Sequence, residues 1–290
     1  MQKTKRCHWV AQAYLRAFAA DQDQRKIWRL SKEAGDPQLK PIEKVAVKFH
    51  LYAPLKANGT RDDSLERKLG NLERFFGDPI WHTVCNGFPD YGWEPLRKMV
   101  ALLASVSYLR TPLNFEKWNT FHHQMVGFIA AGERLPDYFI VNDAKVPVDH
   151  DSWSSFRDAN QEDLKANWHD HISEAGWLAE LLLKLRWTVI FCDQPVFITS
   201  DNPVMVAHPS MKFRGFKDPE SIVIFPLSPT RVLLLDHRHS EPDARYYPLA
   251  HHPGITNGLI WRNAIDHMFS PRHPDIICAE IDAGAREIGF

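Results

Sequence analysis

The hydrophobic pattern changes its period near residue 186, and that change limits what this chain of 290 residues can become. Leu164, Trp168, Ile172, Ala175, Leu178, Leu182 and Leu185 recur at steps of three and four. That spacing predicts a long amphipathic helix ending near Arg186. Beyond it, short β-branched or apolar runs fall at 187–191, 195–199, 203–207, 221–225 and 231–235, separated by Pro, Asp and Ser turns. Such runs, bounded by turn formers, predict strands.

Ahead of the boundary most segments have helical spacing. Residues 8–19 carry Ala11, Tyr14, Leu15 and Phe18, and Leu65, Leu69, Leu72 and Phe76 follow a capping Asp62 or Asp63. A third helix runs from Glu94 to Arg110, where Thr111-Pro112 ends it, and a fourth covers 113–131. Residues 25–30 alternate like an edge strand, and 42–52 look extended. The stretch 133–158 is irregular and rich in Asp and Pro, a candidate lid. Late in the chain, 256–268 reads as helix and Ile276–Ile281 as a last strand. The expectation is one α+β domain over 1–290. Its helical layer, about 1–186, would pack on a mostly antiparallel sheet formed by about 187–290.

Charge and cysteine content exclude several classes. Lys and Arg total 35 against 36 Asp and Glu, so the formal charge of −1 gives no global attraction to nucleic acid or anionic lipid. A polyanion site must therefore be a local patch. The first residues lack the apolar core of a signal peptide. The apolar stretches Met99–Val106 and Trp177–Leu185 fall far short of the roughly 20 residues that span a bilayer. A cytoplasmic protein with no membrane role is expected. Cys7, Cys85, Cys192 and Cys278 form no C-x-x-C pair and read as reduced thiols. No P-loop, dinucleotide-binding or nucleophile-elbow motif occurs.

Four groups of residues could carry chemistry. In P-V-F-I-T-S-D-N-P-V (195–204) a strand delivers Ser200, Asp201 and Asn202 into a turn fixed by Pro203. These are standard turn formers that bond their own backbone; the alternative makes Asp201 a catalytic carboxylate at a strand end. Arg110 falls on the inward face defined by Leu96, Met99, Leu103 and Val106. A guanidinium pointed at a core must meet a carboxylate, a row of carbonyls or a bound phosphate, unless it snorkels out or caps its own helix. The opening His8, Tyr14 and Arg16 could line a pocket, although a satisfied structural histidine is the commoner outcome. For metals, His237 and His239 would share a face of an extended chain, whereas His169 and His171 on a helix point apart. No bound metal or other cofactor is expected.

Taken together, several segments resemble a bacterial family known only as a domain of unknown function. They are H-W-V-A-Q-A-Y-L-R-A-F (8–18), the paired glutamates of L-E-R-K-L-G-N-L-E (65–73) and S-Y-L-R-T-P (107–112). W-T-V-I-F, F-I-T-S-D-N-P-V (within 187–204) and F-P-L-S-P (225–229) complete the set. The family pattern is H-Y-x-P-Q-x-Y-L-R-x-F near the start and S-D-N-P-V near the end. Here Trp9 replaces Tyr, Ala11 replaces Pro, and Ser107 stands where Gln is usual. The resemblance implies one shared pocket built from His8, Tyr14, Arg16, Glu66, Arg110, Ser200, Asp201 and Asn202. It also carries a link to bacterial defence against phage, including excision of bases from modified DNA.

The leading expectation is therefore a metal-independent hydrolase of an N-glycosidic bond in DNA. Asp201 would orient water and balance an oxocarbenium-like transition state. Ser200 and Asn202 would position water or base, His8 and Tyr14 would line the pocket, and Arg16 and Arg110 would bind substrate. One alternative is a nuclease holding Mg²⁺ with Glu66, Asp201 and Asp236. Another is a non-catalytic sensor or interaction protein whose polar cluster is a buried network.

Overall fold

Strands Ile222–Ser228 and Arg231–Asp236 form the centre of the molecule, and nearly every residue in them is buried. In the computed structural model, which describes residues 6–56, 58–130, 135–141 and 144–287, they pair antiparallel inside a five-stranded sheet. From edge to edge its strands are Arg245–Pro248, Arg186–Phe191, Arg231–Asp236, Ile222–Ser228 and Met205–Ala207. Arg245–Pro248 runs parallel to Arg186–Phe191, and every other pairing is antiparallel.

Side chains of a strand alternate between faces, and here both faces are covered. Val223, Phe225, Leu227, Leu233 and Leu235 join the larger core, shared with helices Glu94–Leu109, Gln161–Ser173 and Gly176–Leu183. Ile224 and Val232 join a second core with Ile260 and Ile277, from helices Pro253–Asn263 and Pro274–Glu287. Coverage on two sides explains why these strands read as continuous apolar runs.

A four-stranded antiparallel sheet lies beside the first, in the order Gln38–Pro41, Lys26–Ser31, His267–Ser270 and Thr199–Ser200. The α+β expectation holds, with helices mostly in the first two thirds and strands mainly in the last. This second sheet nevertheless takes two strands from the N-terminal part. Lys26–Ser31 is also no edge strand, because it is paired on both sides.

Other differences have local causes. The long helix ending near Arg186 is two helices, separated at Glu174 and Ala175 ahead of the poor helix former Gly176. The apolar stripe continues across the break, which hides it from periodicity. The expected strand 276–281 is helix, opened by Pro274 at its first position. The helix expected over 256–268 stops at Asn263, and its tail is the strand His267–Ser270. Within 133–158, residues 133–134 and 142–143 lie outside the described residues. The remainder includes paired strands Tyr138–Val141 and Ala144–Pro147 and a helix His150–Arg157 capped by Asp149. Among the described residues no helix is long and apolar enough to cross a membrane.

Helices Pro253–Asn263 and Pro274–Glu287 cross in backbone contact. A Cβ on Gly254 would lie 1.8 Å from the Glu280 carbonyl oxygen, and one on Gly284 would lie 2.7 Å from the Ile255 nitrogen. Only glycine fits at either position.

Candidate functional site

The turn after Thr199–Ser200 is closed on itself and on the neighbouring strand. Ser200 Oγ donates to the Asn202 carbonyl at 3.0 Å and accepts from the Asn202 amide at 3.1 Å. This is the self-bonded turn that its residue types allow. Asp201 is only 1% exposed, and its carboxylate accepts the amides of Ile265, Asp266 and His267 at 2.8, 2.9 and 3.0 Å. Its own amide donates to the His267 carbonyl. Such charge-assisted bonds contribute roughly 1.5–3 kcal/mol each. A carboxylate that orients water needs an oxygen open to a cavity, and this one is committed to backbone. Asp201, expected as the catalytic carboxylate, latches residues 265–267 to the end of its strand.

Arg110 is buried at the end of helix Glu94–Leu109 and finds the partners its helical phase demands. Nη1 donates to Glu73 Oε1 at 2.6 Å, Nη2 donates to the His8 carbonyl, and Nε faces the Tyr52 hydroxyl at 3.4 Å. Burial opposes its charge, but Tyr52 and Glu73 more than restore it. Glu66 approaches the same group, with Oε2 buried and unpartnered. Burial raises its pKa, and nearby Arg110 only partly offsets the rise. The chain continues from His8 to Trp9, whose indole donates to the Asp201 carbonyl at 2.9 Å. Glu66, Glu73, Arg110 and the His8 backbone are thus brought together, and the Asp201 turn adjoins them through Trp9.

The other expected pocket residues disperse. Tyr14 is a core residue, stacked on Phe225, with its hydroxyl bonded to Thr199 Oγ1 at 2.8 Å and donating to the Pro226 carbonyl at 2.7 Å. His8 Nε2 donates to the Glu43 carbonyl at 3.1 Å, and burial lowers its pKa. Arg16 is exposed in a groove with Gln12, Arg25 and Glu43. The shared pocket expected of these residues does not form as a unit.

Asn202 alone of the expected set lines the cleft formed where three parts of the fold meet. Tyr108 and Lys117 come from the helical layer, Leu259, Arg262 and Asn263 from the end of helix Pro253–Asn263, and Met205–His208 with Met211–Phe213 from an edge strand and its following loop. The cavity is about 220 Å³. Asn202 is 4% exposed and exchanges bonds with Asn263, each Nδ2 donating to the other's backbone carbonyl at 3.1 Å. Because a carbonyl can only accept, the amide orientation is determined, and Asn202 Oδ1 is left buried without a donor. No acid lines the cleft, and among the described residues Lys117, Lys212 and Arg262 have no carboxylate partner. Lys117 lies 5.7 and 5.3 Å from the Tyr108 and Phe213 ring centres, and desolvation lowers its pKa.

The loop that closes this cleft is fastened at its base. His208 Nδ1 accepts the Ser210 amide at 3.0 Å, so in the neutral ring Nε2 carries the proton. It faces Asp218 Oδ1 at 3.3 Å and Glu220 Oε2 at 3.5 Å. These three residues are the one His and carboxylate group close enough for a metal among the described residues. A metal would need the Nε2 lone pair, with Nδ1–H donating outward. The Ser210 amide imposes the opposite tautomer, so the group fits a neutral imidazole donating to carboxylates better than a metal cradle. His237 gives its Nε2 to the Phe216 carbonyl instead of joining His239. The carboxylates of the nuclease alternative are also separated by function: Asp236 forms a two-pronged pair with Arg186, Asp201 holds amides, and Glu66 sits by Arg110.

A family profile described as "Protein of unknown function (DUF4238)" matches residues 6–270. The chain belongs to the DUF4238 family. No curated protein and no solved structure matches it. The matched span of this DUF4238 chain contains both the buried Arg110 network and the whole cleft.

Sequence reasoning missed the cleft's closing loop. Met211–Lys217 reads M-K-F-R-G-F-K, with cations interleaved among aromatic residues and Met211 and Phe213 45% and 60% exposed. That interleaving is the signal that could have found it.

Proposed function

We propose that this DUF4238 protein hydrolyses an N-glycosidic bond in DNA without a metal, and that the base enters the cleft at Asn202 rather than a pocket around Asp201. The observation that carries the reading is the unsatisfied Asn202 Oδ1 in a wall that also presents two aromatic rings and three unpaired cations. A buried acceptor favours a ligand with an N–H donor, rings favour a planar ligand, and unpaired cations favour an anion. A nucleotide has all three properties. At about 220 Å³ the cleft is below the roughly 300–1,000 Å³ of drug-sized sites, so it suits one everted ring with the phosphates outside.

With Asp201 committed to backbone, the carboxylate assigned to the chemistry is Asp218, which stands behind the cleft lining, 3.3 Å from the lining residue His208, and would reach the base through the loop's movement. Water oxygen would bond to C1′ as the C1′–N bond breaks. One water proton would pass to Asp218, and the departing base would take up a proton from solvent. The test incubates the protein with ordinary DNA and with phage DNA carrying modified bases, with and without EDTA, and scores abasic sites and strand breaks. Abasic sites that persist in EDTA and disappear in Asp218→Asn and Asn202→Ala are expected. Breaks abolished by EDTA would replace this reading with the nuclease, and unchanged DNA on every substrate would leave the sensor.

A further inference from the structure

A second groove borders the cleft and shares Lys117 with it. Trp118, Phe121 and His171 line this groove, whose volume is about 310 Å³. The Trp118 and His171 rings stack at 5.3 Å, and Phe121 is half exposed. Trp118 Nε1 is a buried donor without an acceptor. Lys117, without a carboxylate partner among the described residues, is therefore common to the lining of two ring-lined hollows.

Successive nucleotides have that order of groups: base, phosphate, base. We infer that the second groove takes the base next to the one in the cleft, with the intervening phosphate on Lys117, so that the polymer bound is single-stranded DNA. This rests on the nucleic-acid reading above and adds to it. In a duplex each base is stacked on both faces, and two neighbouring bases reach separate hollows only if both leave the stack. Rings that accept any base face, combined with a cation for the backbone, are the general solution for unpaired strands.

The experiment measures fluorescence anisotropy of a labelled 12-nucleotide oligothymidylate and of the matching 12-base-pair duplex, at low salt. Expected is at least tenfold tighter binding of the single strand. Phe121→Ala and Trp118→Ala should each weaken single-strand binding by about 5- to 150-fold while leaving duplex binding alone. Phe121 is exposed enough that its variant will fold, and thermal melting checks both. Equal affinity for the two DNAs, or wild-type single-strand binding in both variants while Lys117→Ala weakens both DNAs, would overturn the inference and leave the nucleic-acid reading standing. No binding to either DNA would overturn both.

Discussion

The Asp201 turn and the Lys117 cleft lie close together in the chain's architecture and handle charge in opposite ways. Asp201 is encased, with three amides on its carboxylate and an indole on its carbonyl. Lys117, Lys212 and Arg262 have no carboxylate counter-ion among the described residues. A buried charge is tolerated when neighbours satisfy it completely, and then it has nothing left to offer a ligand. Charges available to a substrate are those the fold leaves unmatched, and here they line the cleft from two helices and a loop.

The contrast can be broken most directly at Asp201. Asp201→Ala orphans the amides of residues 265–267, and a loss of about 3–5 kcal/mol is expected in urea unfolding. A stable, soluble and merely inactive variant would restore a catalytic role to the carboxylate.

The Arg186–Asp236 pair tests the same principle through pH. Burial pushes the Asp236 pKa up, but the hydrogen bonds and charge of Arg186, together with the Arg238 amide, pull it below the ordinary carboxylate value. Its stabilisation is therefore fully present above about pH 3.9, the unfolded value, and is lost as pH falls through the folded value. Asp236→Asn should flatten that part of the acid limb of a stability-against-pH curve.

Glu66 has the opposite sign, because burial raises its pKa. The folded chain holds its proton more tightly than the unfolded one, so stability falls as pH rises from about 4.3 through the folded value. Glu66→Gln should raise the melting temperature slightly at pH 7.5 and leave it unchanged at pH 4. An equal shift at both pH values would show that charge is not the cause.

The smallest stability effects belong to the cleft. Lys117→Ala, Lys212→Ala and Arg262→Ala should each change unfolding free energy by less than about 0.5 kcal/mol. Each should also lower the slope of log affinity for DNA against log salt by about one. Losses above about 2 kcal/mol would place these cations in the structural network and erase the contrast.

What the sequence made legible follows the same division. Helical phase put Arg110 on an inward face and required a carboxylate or carbonyls, and Glu73 with the His8 carbonyl meets the requirement. Residue type likewise announced the Ser200 turn. Pattern could not reveal that Asp201 would reach backbone more than sixty positions away, since that depends on the pairing of Ser200 with Met268. The β-branched content of Ile276–Ile281 suggests a strand and outweighs the helical spacing of Ile277, Ile281 and Gly284, of which Ile281 meets Gly258 and Gly284 meets Gly254. The cleft was missed for a related reason. Its lining comes from three stretches, within 108–117, 202–213 and 259–263, and none of them was recognised as a motif for binding.

The glycine crossing between the last two long helices governs how the cleft can respond to an occupant. Helix Pro253–Asn263, which contributes Leu259, Arg262 and Asn263, rests on its neighbour backbone against backbone. At Gly254 and Gly284 that wall has no intervening side chains to rearrange, so there it behaves as an anvil. Any accommodation of a larger or altered ring must then come from the opposite jaw, the stretch between His208 and Asp218. Selectivity among ligands should accordingly follow the bulk of the exposed Met211 and Phe213 in that stretch, while Phe216 ties it to Tyr108 of the helical layer.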